Sequence, residues 1–198
     1  VRALAAVERS RVALILVDAT VGFTEQDSKV AGYAHEQGKA CIIVVNKWDA
    51  VEGKETNTME LQRRGYAECF SFMGYAPIIF ISAQTGYNVN KLMQLIRDVD
   101  SQNGARVPTG VLNEMLARAT ARMQPPSDTG RRLNIFYLTQ ASTRPPTFVA
   151  FVNSKQLFHF SYRRYIINQS RENFGLKHTP IRLVGRERGS GEVGAKDV

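Results

Sequence analysis

Three short apolar runs constrain the fold of this chain more than any other feature. They read RVALILVDA (11–19), KACIIVVNK (39–47) and APIIFISA (76–83). Each run is continuously apolar and rich in Val and Ile, as is typical of parallel strands that are covered on both faces. The first half of the chain is therefore predicted to form a buried parallel sheet.

Helical segments separate and follow these runs. They read TEQDSKVAGYAHEQG (24–38), NTMELQRRGYAECFSFMG (57–74) and NVNKLMQLIRDVDSQNG (88–104). Thr24 is a predicted N-cap, Gly38 lies past the end of the first helix, and Gly74 ends the second. One face of the third helix carries Leu92, Leu95, Ile96 and Val99. This β-α-β rhythm predicts an α/β fold, in which ligands bind beyond the carboxyl ends of the strands.

The charge is divided unevenly between two parts of the chain. Residues 1–103 hold 11 Lys and Arg against 12 Asp and Glu, whereas residues 104–198 hold 15 against 6. The Gly and Pro residues of DSQNGARVPTG mark a boundary between domains of different character. We predict one domain over 1–103, a second over 104–187 and a flexible basic, Gly-rich tail over 188–198.

Several classes of protein are disfavoured by the composition. No apolar run reaches the ~20 residues that a membrane span needs, and VRALAAVERSR lacks the build of a signal peptide. We therefore expect a cytoplasmic protein with no membrane partner. Cys41 and Cys69 have no paired spacing, so a metal site or disulfide framework is not expected. Both are predicted to be buried, reduced thiols.

Polar clusters follow the second and third strands. Asn46 and Asp49 come after the second strand, and SAQTG (82–86) comes after the third. Carboxyl ends of parallel strands share one sheet edge, so these clusters can converge on one ligand. A carboxylate suits the paired N–H donors of a guanine edge, an amide suits its N7 and O6 side, and adenine presents the wrong pattern. The alternative is an Asx turn leaving the strand.

A strand-terminal NKxD followed by SA on the next strand resembles the guanine-recognition motifs of P-loop GTPases. The resemblance implies that Asp49 holds the base N1 and N2 groups, and that Asn46 braces the loop and contacts the N7 side. It also implies that the stem of Lys47 lies along the base plane. The backbone N–H of Ala83 would meet O6, and Ser82 would support Asp49.

Longer segments narrow this resemblance. They span 17–49, 75–86, 144–175 and 179–188, and in order and spacing they are similar to the Der (EngA) family of bacterial GTPases. The resemblance implies a second G domain, from after switch II onward, followed by a KH-like domain. It further implies GTP or GDP with Mg²⁺ as cofactor, GTP hydrolysis, and assembly of the large ribosomal subunit. Its implied partners are that subunit with its RNA, and the upstream G domains of the same protein.

A P-loop string is not found in this sequence. G-x-x-x-x-G-K-[ST] cradles phosphates and D-x-x-G serves the γ-phosphate side, and neither occurs in the 198 residues. In the family, VRALAAVERS would be the helix after switch II. We therefore expect the phosphate-binding part and the Mg²⁺ ligands to lie upstream, and assign no catalytic or metal-binding residue within this chain.

Two other function classes remain open at this point. The chain could be a non-catalytic RNA- or protein-binding assembly module, which residues upstream of Val1 would decide. A nucleotide-dependent metabolic enzyme of similar sheet type would need catalytic groups at the strand ends. His35 falls on a predicted helix, and His159 and His178 fall in the second domain. Trp48 could stack near the nucleotide or pack on the next helix.

The second half has the order helix, strand, strand, helix, strand. The first helix (109–123) carries an apolar stripe of Val111, Leu112, Met115, Leu116 and Ala119. Strands are predicted over 132–142, 147–154 and 179–188, and a helix capped by Ser161 ends at Gly175. The result is a small α+β domain with a three-stranded sheet, similar to a KH domain.

One feature departs from nucleic-acid-binding KH domains. Those domains clamp the backbone with a GXXG loop, and residues 131–174 contain no glycine. Basic side chains of the second half could still bind RNA phosphates. They include Arg131, Arg132, Arg163, Arg164, Arg171, Arg182, Arg186 and Arg188. Arg163 and Arg164, at the start of the last helix, are the candidate RNA contacts. The alternative is a solvated surface or a charged face toward another domain.

Overall fold

The chain folds into two compact units. The computed structural model describes residues 2–128 and 130–188, so most of the predicted tail (189–198) lies outside the described residues. Unit 1 runs to Ala105 and also contains Lys177–Pro180. Unit 2 contains Arg106–Leu176 and continues from Ile181.

Unit 1 is built on a three-stranded parallel sheet in the order β1-β2-β3. Its elements are α1 (Arg2–Arg9), β1 (Val12–Asp18), α2 (Glu25–Glu36), β2 (Ala40–Asn46), α3 (Thr58–Cys69), β3 (Ile78–Phe80) and α4 (Val89–Asn103). The three predicted strands are therefore confirmed, and β2 is the central one. The predicted cover on both faces is wrong for β1, an edge strand whose Leu14 and Leu16 are 37% and 57% exposed. In the β1–β2 register Asp18 lies opposite Asn46, so both strands end at the same level.

Helices cover both faces of β2. Every residue from Ala40 to Val45 is at most 1% exposed. Cys41, Ile43 and Val45 belong to a core cluster with residues of α2 and α3. Ala40, Ile42 and Val44 cluster with Leu92 and Val99, and Leu95 and Ile96 pack against them. The predicted apolar face of α4 is thus confirmed.

The ends of α2 follow the sequence signals. Thr24 is the N-cap: its side chain accepts a hydrogen bond from the backbone N–H of Asp27, at 3.2 Å. The Asp27 carboxylate in turn accepts from the Thr24 backbone N–H at 2.9 Å, which completes a capping box. Gly38 follows the helix with φ +68°, a conformation that favours glycine. Both predictions are confirmed.

The end of α3 differs from the prediction. The sequence predicted one helix to Gly74, but α3 ends at Cys69 and a separate 3-10 helix covers Ser71–Met73. Phe70 and Met73 are each 1% exposed. The tighter turn brings residues three apart into line, so both side chains reach the core.

The two cysteines have different environments. Cys41 is buried in β2, and burial raises the pKa of its thiol to about 12. Cys69 is exposed at the end of α3, so the prediction that both thiols are buried is wrong for Cys69. Tyr66 and Phe70, one helical turn apart, occupy the core-facing positions there and leave Cys69 in solvent.

A short return segment completes unit 1. The backbone N–H of His178 donates to Oε1 of Gln102 at 2.8 Å. The hydroxyl of Thr179 donates to Oδ1 of Asn103 at 3.0 Å. Thr179 and Asn103 are 0% and 1% exposed, so this is a buried polar pair. The segment Lys177–Pro180 is therefore part of unit 1, although the sequence placed His178 in the second domain.

Unit 2 is an α+β structure with a three-stranded sheet in the order β6-β7-β8. Its elements are α5 (Thr109–Arg122), β4 (Ser127–Asp128), β5 (Arg131–Arg132), β6 (Ile135–Ser142), β7 (Thr147–Val152), α6 (Phe160–Asn173) and β8 (Arg182–Glu187). β6 and β7 are antiparallel, whereas β7 and β8 are parallel. The predicted sheet is confirmed, and the antiparallel β4–β5 pair was not predicted.

Two details of the unit 2 helices correct the sequence prediction. In α5 the predicted stripe is buried except for Val111, which is 44% exposed because it lies beside the helical face that Leu112, Met115, Leu116 and Ala119 form. The N-cap of α6 is His159, without a side-chain cap, and Ser161 lies inside the helix. Leu157 and Phe158 are 8% and 2% exposed, so their burial fixes the chain just before the helix begins.

No helix among the described residues combines the length and apolar character that a membrane crossing requires.

Candidate functional site

The predicted polar clusters lie at one edge of the unit 1 sheet. The backbone continues the pairing just past the strands: Ala19 N donates to Asn46 O at 2.9 Å, and Trp48 N donates to Ile81 O at 3.1 Å. These bonds hold the loop after β2 between the loops after β1 and β3. The carboxyl ends of all three strands are therefore close together.

A direct hydrogen bond joins the two motifs. The backbone N–H of Ala83 donates to Oδ1 of Asn46 at 3.0 Å. Because this amide oxygen is the acceptor, Nδ2 of Asn46 is the group left to donate. A donor at this position suits the N7 and O6 acceptors of guanine. The Ala83 N–H predicted for O6 is thus already bonded, and a base oxygen would share it with Asn46.

Ser82 builds the turn after β3. It is fully buried, and its Oγ accepts from the backbone N–H of Thr85 at 3.1 Å. Its carbonyl accepts from Gly86 N at 2.9 Å. In the described part of the chain no hydrogen bond joins Ser82 to Asp49, and the role implied for Ser82 stays a prediction.

Asp49 presents an unengaged carboxylate. It lies in a 3-10 turn, Trp48–Ala50, and is exposed. Its side chain makes no hydrogen bond or ion pair with any residue that the structure describes. The ammonium of Lys54 instead holds the loop by donating to the backbone oxygen of Trp48, at 2.8 Å. The Asp49 oxygens can therefore accept two ligand donors.

Trp48 anchors the same turn in the core. Its side chain is 9% exposed, and its ring meets Phe80 edge to face at 5.0 Å between centroids. It belongs to the core cluster that includes Tyr66 of α3. Of the two interpretations of Trp48, the structure favours packing on the next helix.

Lys47 is paired across the strand ends with Asp18. Its Nζ donates to Oδ2 of Asp18 at 2.6 Å. The other oxygen, Oδ1, accepts from the backbone N–H and the hydroxyl of Thr20, at 2.9 and 2.6 Å. The hydrogen bond from Lys47, followed by those from Thr20, lowers the pKa of Asp18 to about 2. Sequence reasoning missed this residue, although the aspartate that ends the first apolar run was a usable signal.

No magnesium site is assigned to these residues. Within 2–128 and 130–188, no group of three or more His, Cys, Asp or Glu side chains could hold a metal ion. The described residues therefore contain no such cluster of ligands for a cation.

The two candidate arginines of unit 2 differ in accessibility. Arg163 is half-buried: its guanidinium lies 5.2 Å from the centre of the Phe158 ring, and its buried Nε has no partner among the described residues. Arg164 is exposed and lies 4.3 Å from the ring centre of Phe160, which is itself 70% exposed. Only Arg164 offers its charge fully to a ligand in solution.

The remaining basic residues are mixed in role. Arg171 donates to the carbonyl of Leu176 at 3.0 Å and so closes the end of α6. Arg188 lies 5.2 Å from the ring centre of Phe136. A further set is exposed: Arg131, Arg132, Arg186 and Arg188. The basic excess of unit 2 is therefore largely available at the surface.

Comparison with known proteins assigns both units. Residues 2–101 match the family profile of the elongation factor Tu GTP binding domain. Residues 106–186 match the profile described as KH-domain-like of EngA bacterial GTPase enzymes, C-terminal. The chain belongs to the Der (EngA) family of GTPases.

Curated relatives agree with this assignment. The GTPase Der of Acetivibrio thermocellus is 55% identical over 188 residues, which are 95% of this chain and 42% of the relative. The GTPase Der of Ruminiclostridium cellulolyticum is 54% identical with the same coverage. The chain thus spans less than half the length of these Der proteins.

Family membership confirms the predicted fold class. Unit 1 has the parallel sheet and flanking helices of a G domain, and unit 2 is the KH-like domain of the Der family. Residues 131–174 of this Der-family chain contain no glycine, so a GXXG clamp cannot occur there. Any RNA contact by residues 131–174 would have to use other groups.

Proposed function

We propose that unit 1 recognises the guanine base in a GTP-binding GTPase, of which this chain forms a part. The observation that carries the proposal is the Ala83–Asn46 hydrogen bond of 3.0 Å. It joins the two motifs at the sheet edge where the Asp49 carboxylate has no partner among the described residues. The match to a GTP binding domain and the relatives named GTPase Der support it.

The chemistry of base selection follows from donor and acceptor counts. The ionised carboxylate of Asp49 accepts from the N1 and N2 groups of guanine, and such charge-assisted pairs are strong. Nδ2 of Asn46 donates on the N7 side. Adenine lacks this N1 donor and 2-amino group, so it would leave the carboxylate unpaired. Ser82 supports the loop, and Lys47 lies along the base.

We further propose that the intact protein hydrolyses GTP with Mg²⁺ and acts in assembly of the large ribosomal subunit. Resemblance to the Der family supports this role, as does the excess of 15 basic over 6 acidic residues in 104–198. The charge suits ribosomal RNA, with exposed Arg164 as the better contact and Arg163 as a lesser one. The upstream G domains of the same protein would be further partners.

The alternative is an assembly module that binds RNA or protein without turnover. The basic surface of unit 2 favours this alternative, because it needs no catalytic group. GTP turnover that depends on Asp49 would exclude it. If the protein does not turn over GTP, or if its GTP turnover does not depend on Asp49, the assembly module is favoured.

The decisive experiment exchanges the base specificity. In the intact protein, Asp49→Asn should weaken guanine nucleotide binding at this site by about 2–4 kcal/mol, because a charge-assisted bidentate pair is lost. The same variant should gain binding of xanthosine diphosphate, since xanthine carries an oxygen at position 2 that an amide can meet. Titration calorimetry with both nucleotides measures the exchange.

Gain of xanthosine binding is the sharper readout, because any further guanine-binding domain of the intact protein would still bind GDP. Asp98→Asn serves as a matched control, since Asp98 is an exposed carboxylate on α4. A protein with Asp49→Asn that binds GDP as before and gains no xanthosine diphosphate binding would contradict the proposal.

A further inference from the structure

Both oxygens of the Asp18 carboxylate accept hydrogen bonds, one of them from Lys47 and the other from Thr20. Oδ2 accepts from Lys47 Nζ at 2.6 Å, and Oδ1 accepts from Thr20 N and Oγ1 at 2.9 and 2.6 Å. Two fixed bonds from Thr20 hold the plane of the carboxylate. The loop after β1 therefore fixes the orientation of Oδ2 of Asp18, which accepts the hydrogen bond from Lys47.

The backbone of Lys47 is also unusual. Its φ is +63°, in the left-handed region that few residues other than glycine occupy. It is the residue that follows Asn46, which stands opposite Asp18 in the β1–β2 register. The strand register thus brings the lysine and the aspartate together at the sheet edge.

Stability does not account for this arrangement. The Lys47 and Asp18 side chains are 58% and 29% exposed, and ion pairs this open contribute little to folding. Lys47 also has a second carboxylate, Asp49, two residues away on its own loop. Lys47 pairs with Asp18 instead, and the Asp49 carboxylate, which has no partner among the described residues, can accept from a ligand.

We propose that Asp18 is a positioning residue for guanine binding, which holds Lys47 so that the lysine stem lies along the plane of the base. This inference rests on the proposed function of unit 1. A lysine has four flexible side-chain torsions, and ordering it on binding costs affinity unless it is ordered beforehand. The pKa of Asp18 near 2 keeps the carboxylate ionised at every pH used for binding.

The test uses xanthosine diphosphate and the intact protein with Asp49→Asn, so that only this site responds. Adding Asp18→Asn should raise the Kd about 3- to 10-fold, the cost of ordering one long side chain. The asparagine keeps an oxygen for Thr20 and removes the charge that holds Lys47. In a background with Lys47→Met, the same Asp18→Asn change should alter the Kd less than about twofold, because no ammonium remains to be held.

Asp100→Asn is the matched control. Asp100 pairs with Arg11 at the other end of β1, with side-chain exposures of 24% and 63% that resemble those of the Asp18 pair. This control should leave the Kd unchanged. Circular dichroism and the melting temperature of each variant check that the fold is retained.

Three results would overturn the inference. If Asp49→Asn gains no xanthosine diphosphate binding, the proposed function fails and this inference fails with it. If that binding is gained but Asp18→Asn leaves the Kd unchanged, the positioning role alone fails. The same holds if Asp18→Asn weakens binding equally with and without the Lys47 ammonium, because the aspartate would then act through its loop and not through Lys47.

Discussion

At the scale of single residues, three aspartates of unit 1 show how partners decide a role. Asp18 has both oxygens bonded, Asp100 is paired with Arg11, and Asp49 has no described partner. Asp18 and Asp49 lie at the same sheet edge, yet of these two only Asp49 has both oxygens without a partner among the described residues. The same logic separates Arg163, packed on Phe158, from exposed Arg164.

Thiol reactivity should divide the two cysteines. At pH 8, iodoacetamide should alkylate Cys69, which is exposed, and spare Cys41, whose pKa is raised to about 12 by burial. A raised pKa keeps the thiol protonated until the pH approaches that value, and the thiolate is the reactive form. Peptide mass spectrometry of the intact protein measures the labelling.

A denatured sample is the control for this labelling, because both cysteines should then react at similar rates. Equal labelling of Cys41 and Cys69 in the folded protein would show that β2 opens far more readily than its burial indicates.

At the scale of elements, local signals and tertiary packing share control of the helices. α2 begins at a capping box formed by Thr24 and Asp27. α6 begins without a side-chain cap, after a segment held by burial of Leu157 and Phe158. α2 is therefore the helix whose stability should depend most directly on one side chain.

Removing the cap should loosen α2. Thr24→Ala eliminates one half of the capping box, and loss of such a cap costs about 1 kcal/mol. Backbone amides in the first turns of α2 should then exchange with deuterium roughly fivefold faster, because the free energy of local opening falls by the same amount. Exchange mass spectrometry of the intact protein resolves the helix from the rest of the chain.

Thr56→Ala is the comparison, because Thr56 is exposed and its side chain makes no hydrogen bond with a described residue. It should leave the exchange of α2 unchanged. Exchange that Thr24→Ala fails to accelerate would mean that packing alone, and not the cap, fixes the start of α2.

These elements also show what sequence can and cannot predict. The strands, Thr24 and the apolar face of α4 were predicted because each depends on residues close in sequence. The exposed position of Val111, the early end of α3 and the start of α6 were not, because each depends on the core that neighbouring elements form. The Asp18–Lys47 pair was missed for a similar reason: the aspartate at the end of the first apolar run was visible in the sequence, but its pairing with Lys47 depends on strand register.

At the scale of the whole molecule, the charge contrast between the two units is the dominant property. Residues 1–103 carry nearly balanced charge, whereas 104–198 carry a net charge of +9. Such a surface attracts polyanions through phosphates and not through bases. Because residues 131–174 contain no glycine for a GXXG clamp, we expect recognition by charge and shape.

RNA binding by unit 2 should depend steeply on salt. Each phosphate contact should add roughly 0.7–0.9 to the slope of log affinity against log salt. Arg164→Glu in the intact protein should reduce that slope, because it removes a phosphate contact. It should weaken binding to different structured RNAs about equally, because Arg164 contacts no base in this proposal. Filter binding at several salt concentrations measures both effects.

Arg97→Glu provides the same change of charge on an exposed residue of unit 1, and it should have little effect on RNA affinity. Salt-independent binding, or equal losses for the two variants, would exclude a direct RNA contact at Arg164. The basic surface would then serve as a face toward another domain.

The return of Lys177–Pro180 to unit 1 has a consequence for how the chain is made. A ribosome releases residues in order, so unit 1 stays incomplete until Thr179 has emerged to meet Asn103. At typical synthesis rates the stretch between them takes roughly 4–15 s. During that interval Oδ1 of Asn103 lacks the hydroxyl that it meets in the finished fold, while unit 2 residues are already being released. The segment 177–180 can therefore complete unit 1 only after most of unit 2 has been synthesised.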